Sequence, residues 1–306
     1  MKHDTLAPYY FELGRLRFSP GWARPEPSMW PSPQPKFTPA VWRFAAARAA
    51  LDQAGEFVPV EQAERRNLIM VNPIEGNLYA TTRNLVAAYQ CVKGGGETAR
   101  THRHTPAALR LVLEAKPGTY TVVNGARVDM LPGDVVLTPS WSWHGHVNES
   151  DQTSFWIDFL DIPFVQLTEA MFFEQYPQGG LEPVISSGAS PFRIPAAEAL
   201  GNGGDAKVVE IAKGIMPTIA LHLMRQPAGV QIDAPRTTIN NIYAMISGSA
   251  RFTAESGLAE TLGPGDVIAM PCWHAHTIEA AQDMTLLRVS DEPLLAKLGL
   301  ARTATH

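Results

Sequence analysis

The spacing of apolar residues changes near residue 66. Beyond it, short runs rich in apolar, β-branched or aromatic residues recur: Asn67–Asn72, Leu85–Val92, Leu109–Ala115, Thr119–Val123, Val135–Thr138 and Ser154–Leu160. Turn formers divide them, namely Gly94-Gly95-Gly96, Pro117-Gly118, Asn124-Gly125 and Pro132-Gly133-Asp134. Strands at such short intervals predict an antiparallel sandwich or barrel. Residues 161–207 are looser; they predict one helix over Val165–Tyr176 and then a Gly/Ser/Pro/Ala-rich linker. Short strands resume over 208–290. Ahead of the first β unit, residues 39–54 predict a helix. Thr38 can cap it, Pro39 takes its first position and Gly55 follows its end. The Pro-rich stretch Pro25 to Pro39 cannot be regular helix, because proline removes donors and fixes φ.

This pattern divides the chain into an arm and helix (1–65), a β unit (66–160), a linker (161–207), a second β unit (208–290) and a tail (291–306). An internal repeat supports two β units. Pro132-Gly133-Asp134-Val135 recurs as Pro264-Gly265-Asp266-Val267, an offset of 132. At that offset Pro139 meets Pro271, Trp141 meets Trp273 and His144 meets His276.

Composition narrows the function. The 306 residues are 45% hydrophobic and 18% charged, so a sizeable core can form. A net charge of −5, without clustered Lys/Arg, argues against nucleic acid as a partner. No apolar run is long enough for a membrane helix. Charges fill the N-terminal stretch where a signal peptide needs its apolar segment. Two cysteines, Cys91 and Cys272, exclude a disulfide framework and fit a reducing cytoplasm.

Four of the nine histidines fall in two tight pairs, His102-Arg103-His104 and His144-Gly145-His146. In a strand, residues i and i+2 share a face, so His102 and His104 can present two imidazoles to one spot. A third histidine from a later strand could complete a facial triad on a metal. In the second repeat His102 meets Ala234 and His104 meets Arg236, leaving only His276 of the three.

The segment from Gly96 through His102-Arg103-His104, and the segment from Gly133 through Pro139 and His144 to Asn148, together resemble the two motifs of the cupin superfamily. Where that family often carries a glutamate after the second histidine, this chain has Ala108 and Leu109. The resemblance therefore implies a metal held by His102, His104 and His144 with no carboxylate. Imidazoles suit iron, copper, nickel or zinc and leave positions open for a bidentate substrate and dioxygen.

Within the cupins the chain resembles the gentisate 1,2-dioxygenase family of bicupin ring-cleaving enzymes, which includes salicylate and 1-hydroxy-2-naphthoate dioxygenases. The resemblance spans roughly residues 40–290. Its most specific stretches are residues 63–66, His102 to Arg110, Leu137 to His146 and Trp156 to Asp161. It implies an all-β dominated bicupin of two jelly-roll barrels, with few short helices and an N-terminal arm. It implies ferrous iron, Fe(II), and cleavage between the carboxyl-bearing and hydroxyl-bearing carbons of a small aromatic 2-hydroxy acid. It also implies a homotetramer. By position, Arg110, Arg65 and Gln90 match substrate-binding residues, and His146 and Asp158 match residues that orient substrate or move protons.

The residues carry readings of their own. Arg110 lies six past His104 and would share the ligand face if the strand is continuous; a guanidinium beside a metal suits a carboxylate. Arg66 competes with Arg65 for the inward direction. Near Val86 to Ala88, where relatives are expected to carry a tryptophan, only small residues stand, which reshapes the pocket. Two other readings fit the same residues: a cupin that senses or stores a small ligand, and a metal-assisted isomerase or hydrolase.

Overall fold

A computed structural model describes residues 6–63 and 65–304. The first five residues of the arm, Glu64 of the 63–66 stretch and the last two residues of the tail lie outside the described residues. Contacts divide the chain after Gln34. The first unit holds helix α1 (Leu6–Arg15), which buries no residue, and a single 3-10 turn at Gly21–Ala23. Phe11, Trp22, Met29 and Trp30 are exposed there.

The second unit opens with β1 (Ala40–Trp42), α2 (Phe44–Phe57) and α3 (Val60–Ala63). Eleven strands then follow: β2 (Arg66–Ile69), β3 (Val86–Val92), β4 (Glu97–His104), β5 (Ala108–Glu114), β6 (Thr119–Val123), β7 (Ala126–Asp129), β8 (Asp134–Thr138), β9 (His144–Asn148), β10 (Ser154–Leu160), β11 (Phe173–Gln175) and β12 (Arg193–Pro195). They pair into a six-stranded sheet, β12-β8-β5-β10-β3-β2, and a five-stranded sheet, β11-β4-β9-β6-β7. Helix α4 (Ile162–Leu167) follows β10, and α5 (Ala196–Leu200) follows β12.

The second barrel uses β13 (Lys207–Ile211), β14 (Ala220–Gln226), β15 (Gln231–Ala234), β16 (Asn241–Ser247), β17 (Ala250–Ala254), β18 (Ala259–Leu262), β19 (Val267–Met270), β20 (His276–Ala280) and β21 (Met284–Ser290), with α6 (Glu292–Lys297) after it. Its sheets run β1-β19-β16-β21-β14-β13 and β15-β20-β17-β18. No helix among the described residues is long and apolar enough to cross a membrane.

The two six-stranded sheets share one core. Leu109, Leu111, Phe155, Ile157 and Phe159 of the first barrel cluster with Leu221, Leu223, Ile242, Ala244, Leu287 and Val289 of the second. Side chains alternate across a strand, so the intervening residues turn into the barrels. In β3 these are Val86, Ala88, Gln90 and Val92; in β5, Ala108, Arg110 and Val112; in β10, Trp156 and Asp158. Both faces of these strands are buried, which explains their near-continuous apolar runs and makes each inward polar residue conspicuous.

A pseudo-equivalent aspartate after the last long strand of each barrel reaches the other barrel. Asp161 accepts from Ala107 N (2.8 Å) and Thr218 Oγ1 (2.5 Å). Asp291 accepts from Asn240 Nδ2 (2.6 Å) and Asn84 Nδ2 (2.7 Å).

Three local expectations are corrected. The helix expected over 39–54 begins later and runs later, as α2, because Ala40–Trp42 pairs with β19 at a sheet edge. The helix start is met by Asp266 Oδ1, which accepts from Phe44 N at 3.0 Å; no local residue foretells a cap so distant in sequence. The helix expected over Val165–Tyr176 stops at Leu167, and Phe173–Gln175 pairs with β4 instead. Sheet pairing there outweighs helix propensity. Finally, β4 and β5 are not one strand. The chain turns at residues 105–107, where Pro106 cannot donate to a ladder, and Arg110 lies in the opposite sheet from the histidine pair.

Candidate metal centre

The β4 register shifts between Ala99 and His102, and His144 of β9 lies directly opposite His102. His102 and His104 project to the same side, as i and i+2 in a strand must. The His144 ring centroid is 4.5 Å from that of His102 and 4.8 Å from that of His104. One potential ligand atom from each of the three residues lies within 4.8 Å of the others. All three residues are buried.

Backbone carbonyls set the tautomers. His102 Nδ1 is 3.1 Å from Arg100 O, His104 Nδ1 is 2.8 Å from Pro106 O and His144 Nδ1 is 3.0 Å from Ser142 O. A carbonyl only accepts, so each of these Nδ1 atoms carries the proton of a neutral ring, and in His104 and His144 the Nε2 keeps its lone pair. The Nε2 of His144 is buried and has no hydrogen-bond partner among the described residues. Three converging imidazoles suit a borderline divalent cation, so the residues present fit the ferrous ion that the family resemblance implies.

The outer side of the ligand strand is clamped. The Arg103 guanidinium carbon lies 4.4 Å from the ring centroid of Trp141 and 4.4 Å from that of Trp143. The same side chain meets Glu174 of β11 at 2.6 Å. Two cation–π contacts thus join β4 to the turn that delivers His144. Trp141 itself is held at φ 63°, and Trp273 repeats this at φ 65°. The strained turn therefore belongs to the fold of both barrels and is no mark of metal binding by itself.

Burial, reinforced by the positive charges of Arg65 and Arg110, lowers the His102 pKa to about 3 and that of His104 to about 4. The same causes hold His144 and His146 well below the ordinary imidazole value. The folded-state values are depressed, so the unfolded chain takes up protons below about pH 6.5 that the fold refuses. Metal-free protein is therefore expected to lose stability as pH falls from about 6.5 towards 4, each excluded proton costing up to about 1.4 kcal/mol per pH unit. Urea midpoints at pH 7 and pH 5 check this; an equal midpoint at both contradicts it.

The remaining site residues line the same barrel. His146 lies on the His144 side of β9, with ring centroids 6.2 Å apart. It is buried, and neither of its nitrogens has a hydrogen-bond partner among the described residues. Arg110 of β5 faces Asp158 of β10 in register, with Nε 3.3 Å from Oδ1. Its Nη1 donates to Thr138 Oγ1 at 2.5 Å. Gln90 Nε2 donates to the other Asp158 oxygen, and Gln90 Oε1 has no partner among the described residues. Burial raises the Asp158 pKa, opposed by Arg110 and Arg65.

The two arginines differ in their surroundings. Arg66 is buried elsewhere, donating to Val58 O at 2.7 Å and to Glu97 at 2.8 Å. Arg65 is only partly buried, and its charge acts on all four imidazoles and on Asp158. Sequence reasoning missed Thr138, which stood inside the Leu137 to His146 stretch. It also missed Tyr79, whose phenol feels Arg65 and Asp158 from the loop between β2 and β3. No periodicity or motif marks that loop.

Residues 88–160 match the family described as Cupin domain. The chain is 30% identical over 335 residues to a 5-aminosalicylate 1,2-dioxygenase of Comamonas sp, covering 96% of this chain and 89% of that relative. It is 31% identical over 347 residues to a gentisate 1,2-dioxygenase of Streptomyces sp, covering 99% and 96%. The solved structure of a salicylate 1,2-dioxygenase from Pseudaminobacter salicylatoxidans superposes with a TM-score of 0.89 at 27% identity, covering 98% of this chain and 97% of the other.

Proposed function

We propose, on the premise that this chain belongs to the gentisate 1,2-dioxygenase family of bicupin ring-cleaving dioxygenases, that it opens gentisate or a related 5-substituted salicylate with ferrous iron. The observation that carries the reading is the convergence of three neutral imidazoles beside two buried or half-buried arginines. His102, His104 and His144 would hold the ion. When bound, it brings an aromatic 2-hydroxy acid and dioxygen together and conducts electron density between them. Both oxygen atoms end in an open-chain oxo-dicarboxylic acid.

The chain's own groups do the rest. Arg110 neutralises the substrate carboxylate, with Arg65 as a second cation. Burial lowers the Arg110 pKa to about 10, so it stays charged at neutral pH. His146 is held neutral, and with both nitrogens uncommitted among the described residues it can take a proton from a substrate hydroxyl and return it. Asp158 holds Arg110 on one oxygen and Gln90 on the other, fixing both for the substrate. The reading extends to a homotetramer, as the family resemblance implies, in the reducing cytoplasm that the two cysteines fit.

Among the described residues Gln90 Oε1 is a buried acceptor without a donor. The second hydroxyl of gentisate can donate to it, whereas a nitro group or a fused ring cannot. Leaving such an acceptor unpaired costs about 1–3 kcal/mol, or roughly five- to 150-fold. Dioxygen uptake by the iron-loaded protein is therefore expected to rank gentisate above 5-nitrosalicylate, salicylate and 1-hydroxy-2-naphthoate in kcat/KM. Val86 and Ala88, small residues on the Gln90 face of β3, leave room for the alternatives. A preference for 5-nitrosalicylate would keep the pocket and overturn gentisate; a preference for the bicyclic acid would overturn the pocket argument. No oxygen uptake with any of them would return the site to ligand storage or to oxygen-independent chemistry.

A further inference from the structure

The second barrel keeps the interior positions of the first but fills them with different chemistry. Arg110 and Asp158 face each other across β5 and β10. Across β16 and β21 the corresponding partners are Tyr243 and Arg288. The cation has moved to the opposite strand, and the buried carboxylate that opposed it is gone. Where β4 carries His102 opposite His144, β15 carries Ala234 opposite His276. The small residue leaves space. A cavity of about 240 Å³ lies there, bounded by Met224, Ile232, Ile239 and Ile278 and by polar groups of Asn241, Tyr243, His276 and Arg288.

The polar groups are arranged for an anion and against a metal. His276 Nδ1 sits 3.2 Å from His274 O, and its Nε2 is 3.0 Å from the Tyr243 hydroxyl. Both imidazole nitrogens are thus engaged, the hydroxyl donating to Nε2. Arg288 Nε donates to Asn241 Oδ1 at 2.7 Å, and its Nη2 meets Glu292 at 3.3 Å. Glu292 is 44% exposed, so water screens that partner. Among the described residues Arg288 Nη1 has no hydrogen-bond partner. The other acid of the cavity, Asp233, is exposed at its rim and already accepts from Gln231 at 2.7 Å.

We infer that the second barrel binds a small aromatic or cyclic monocarboxylate, its carboxylate on Arg288 and its ring among the apolar walls. A partly buried guanidinium at one end of a small apolar cavity is the arrangement that recognises such an acid. The volume is sufficient for one ring and its carboxylate. The site is independent of the metal centre, since it shares no residue with it.

The probe is 4-bromobenzoate, which lacks the 2-hydroxyl needed to chelate a metal. Crystals of the iron-loaded protein soaked in it should show a bromine anomalous peak inside the second barrel. In calorimetry, Arg288→Gln should weaken binding at this site at least tenfold. Ala234→Leu, which fills the cavity at a position where the first barrel accommodates a histidine, should abolish it while ring cleavage continues unchanged. Should Arg288→Gln fail to fold, Ala234→Leu decides alone. Absence of the bromine peak at millimolar probe, or binding undiminished in Ala234→Leu, overturns the inference.

Discussion

His104→Ala is expected to strip the protein of its metal and its oxygen chemistry together. Its imidazole is one of three, and two cannot hold the ion as three do. The loss of affinity should exceed the roughly 10- to 100-fold that removal of an outer partner alone costs. Metal analysis after dialysis should find the variant depleted and inactive. His276→Ala provides the control, because His276 is committed to Tyr243 and His274 in the other barrel. It should keep the metal content of the parent. Metal retained in His104→Ala but lost from His276→Ala reverses the assignment of the two barrels.

The metal centre was legible because its chemistry is local. Two histidines at i and i+2 need only an extended backbone to converge, and the turn before His144 repeats at a fixed offset in both barrels. Gln90, Arg110 and Asp158 were named through the family resemblance, and each is a polar residue in an otherwise largely apolar strand. What escaped depends on contacts between distant segments. The α2 start rests on Asp266, and the edge strand β1 rests on β19. The route of Arg110 to the site was misread because a turn at Pro106 moves it from one sheet to the other. The second barrel's cavity was invisible for a similar reason. The offset is 132 between His144 and His276, but loops of different length make it 133 between Arg110 and Tyr243 and 130 between Asp158 and Arg288. Only strand register restores that correspondence.

Arg110 should show a second large effect, and its interpretation depends on Asp158. Removing the guanidinium deprives the substrate carboxylate of its partner, and a charge-assisted hydrogen bond contributes about 1.5–3 kcal/mol. Arg110→Ala is therefore expected to keep its iron and to lower kcat/KM at least about tenfold. It also leaves a buried carboxylate with no cation in contact, which costs about 3–5 kcal/mol of stability. Lost activity alone cannot then separate a clamp from a strut. Arg110→Met combined with Asp158→Asn makes the separation. Both charges vanish from the barrel interior, and an amide oxygen remains to accept from Gln90 Nε2. Replacing a buried pair by neutral groups of similar size is near neutral for stability, so the urea midpoint should return most of the way to that of the parent. If Arg110 binds the substrate, kcat/KM stays low in this stable double variant. If the pair serves only the fold, activity returns with stability, and the carboxylate must be held elsewhere, with Arg65 the remaining cation at the site.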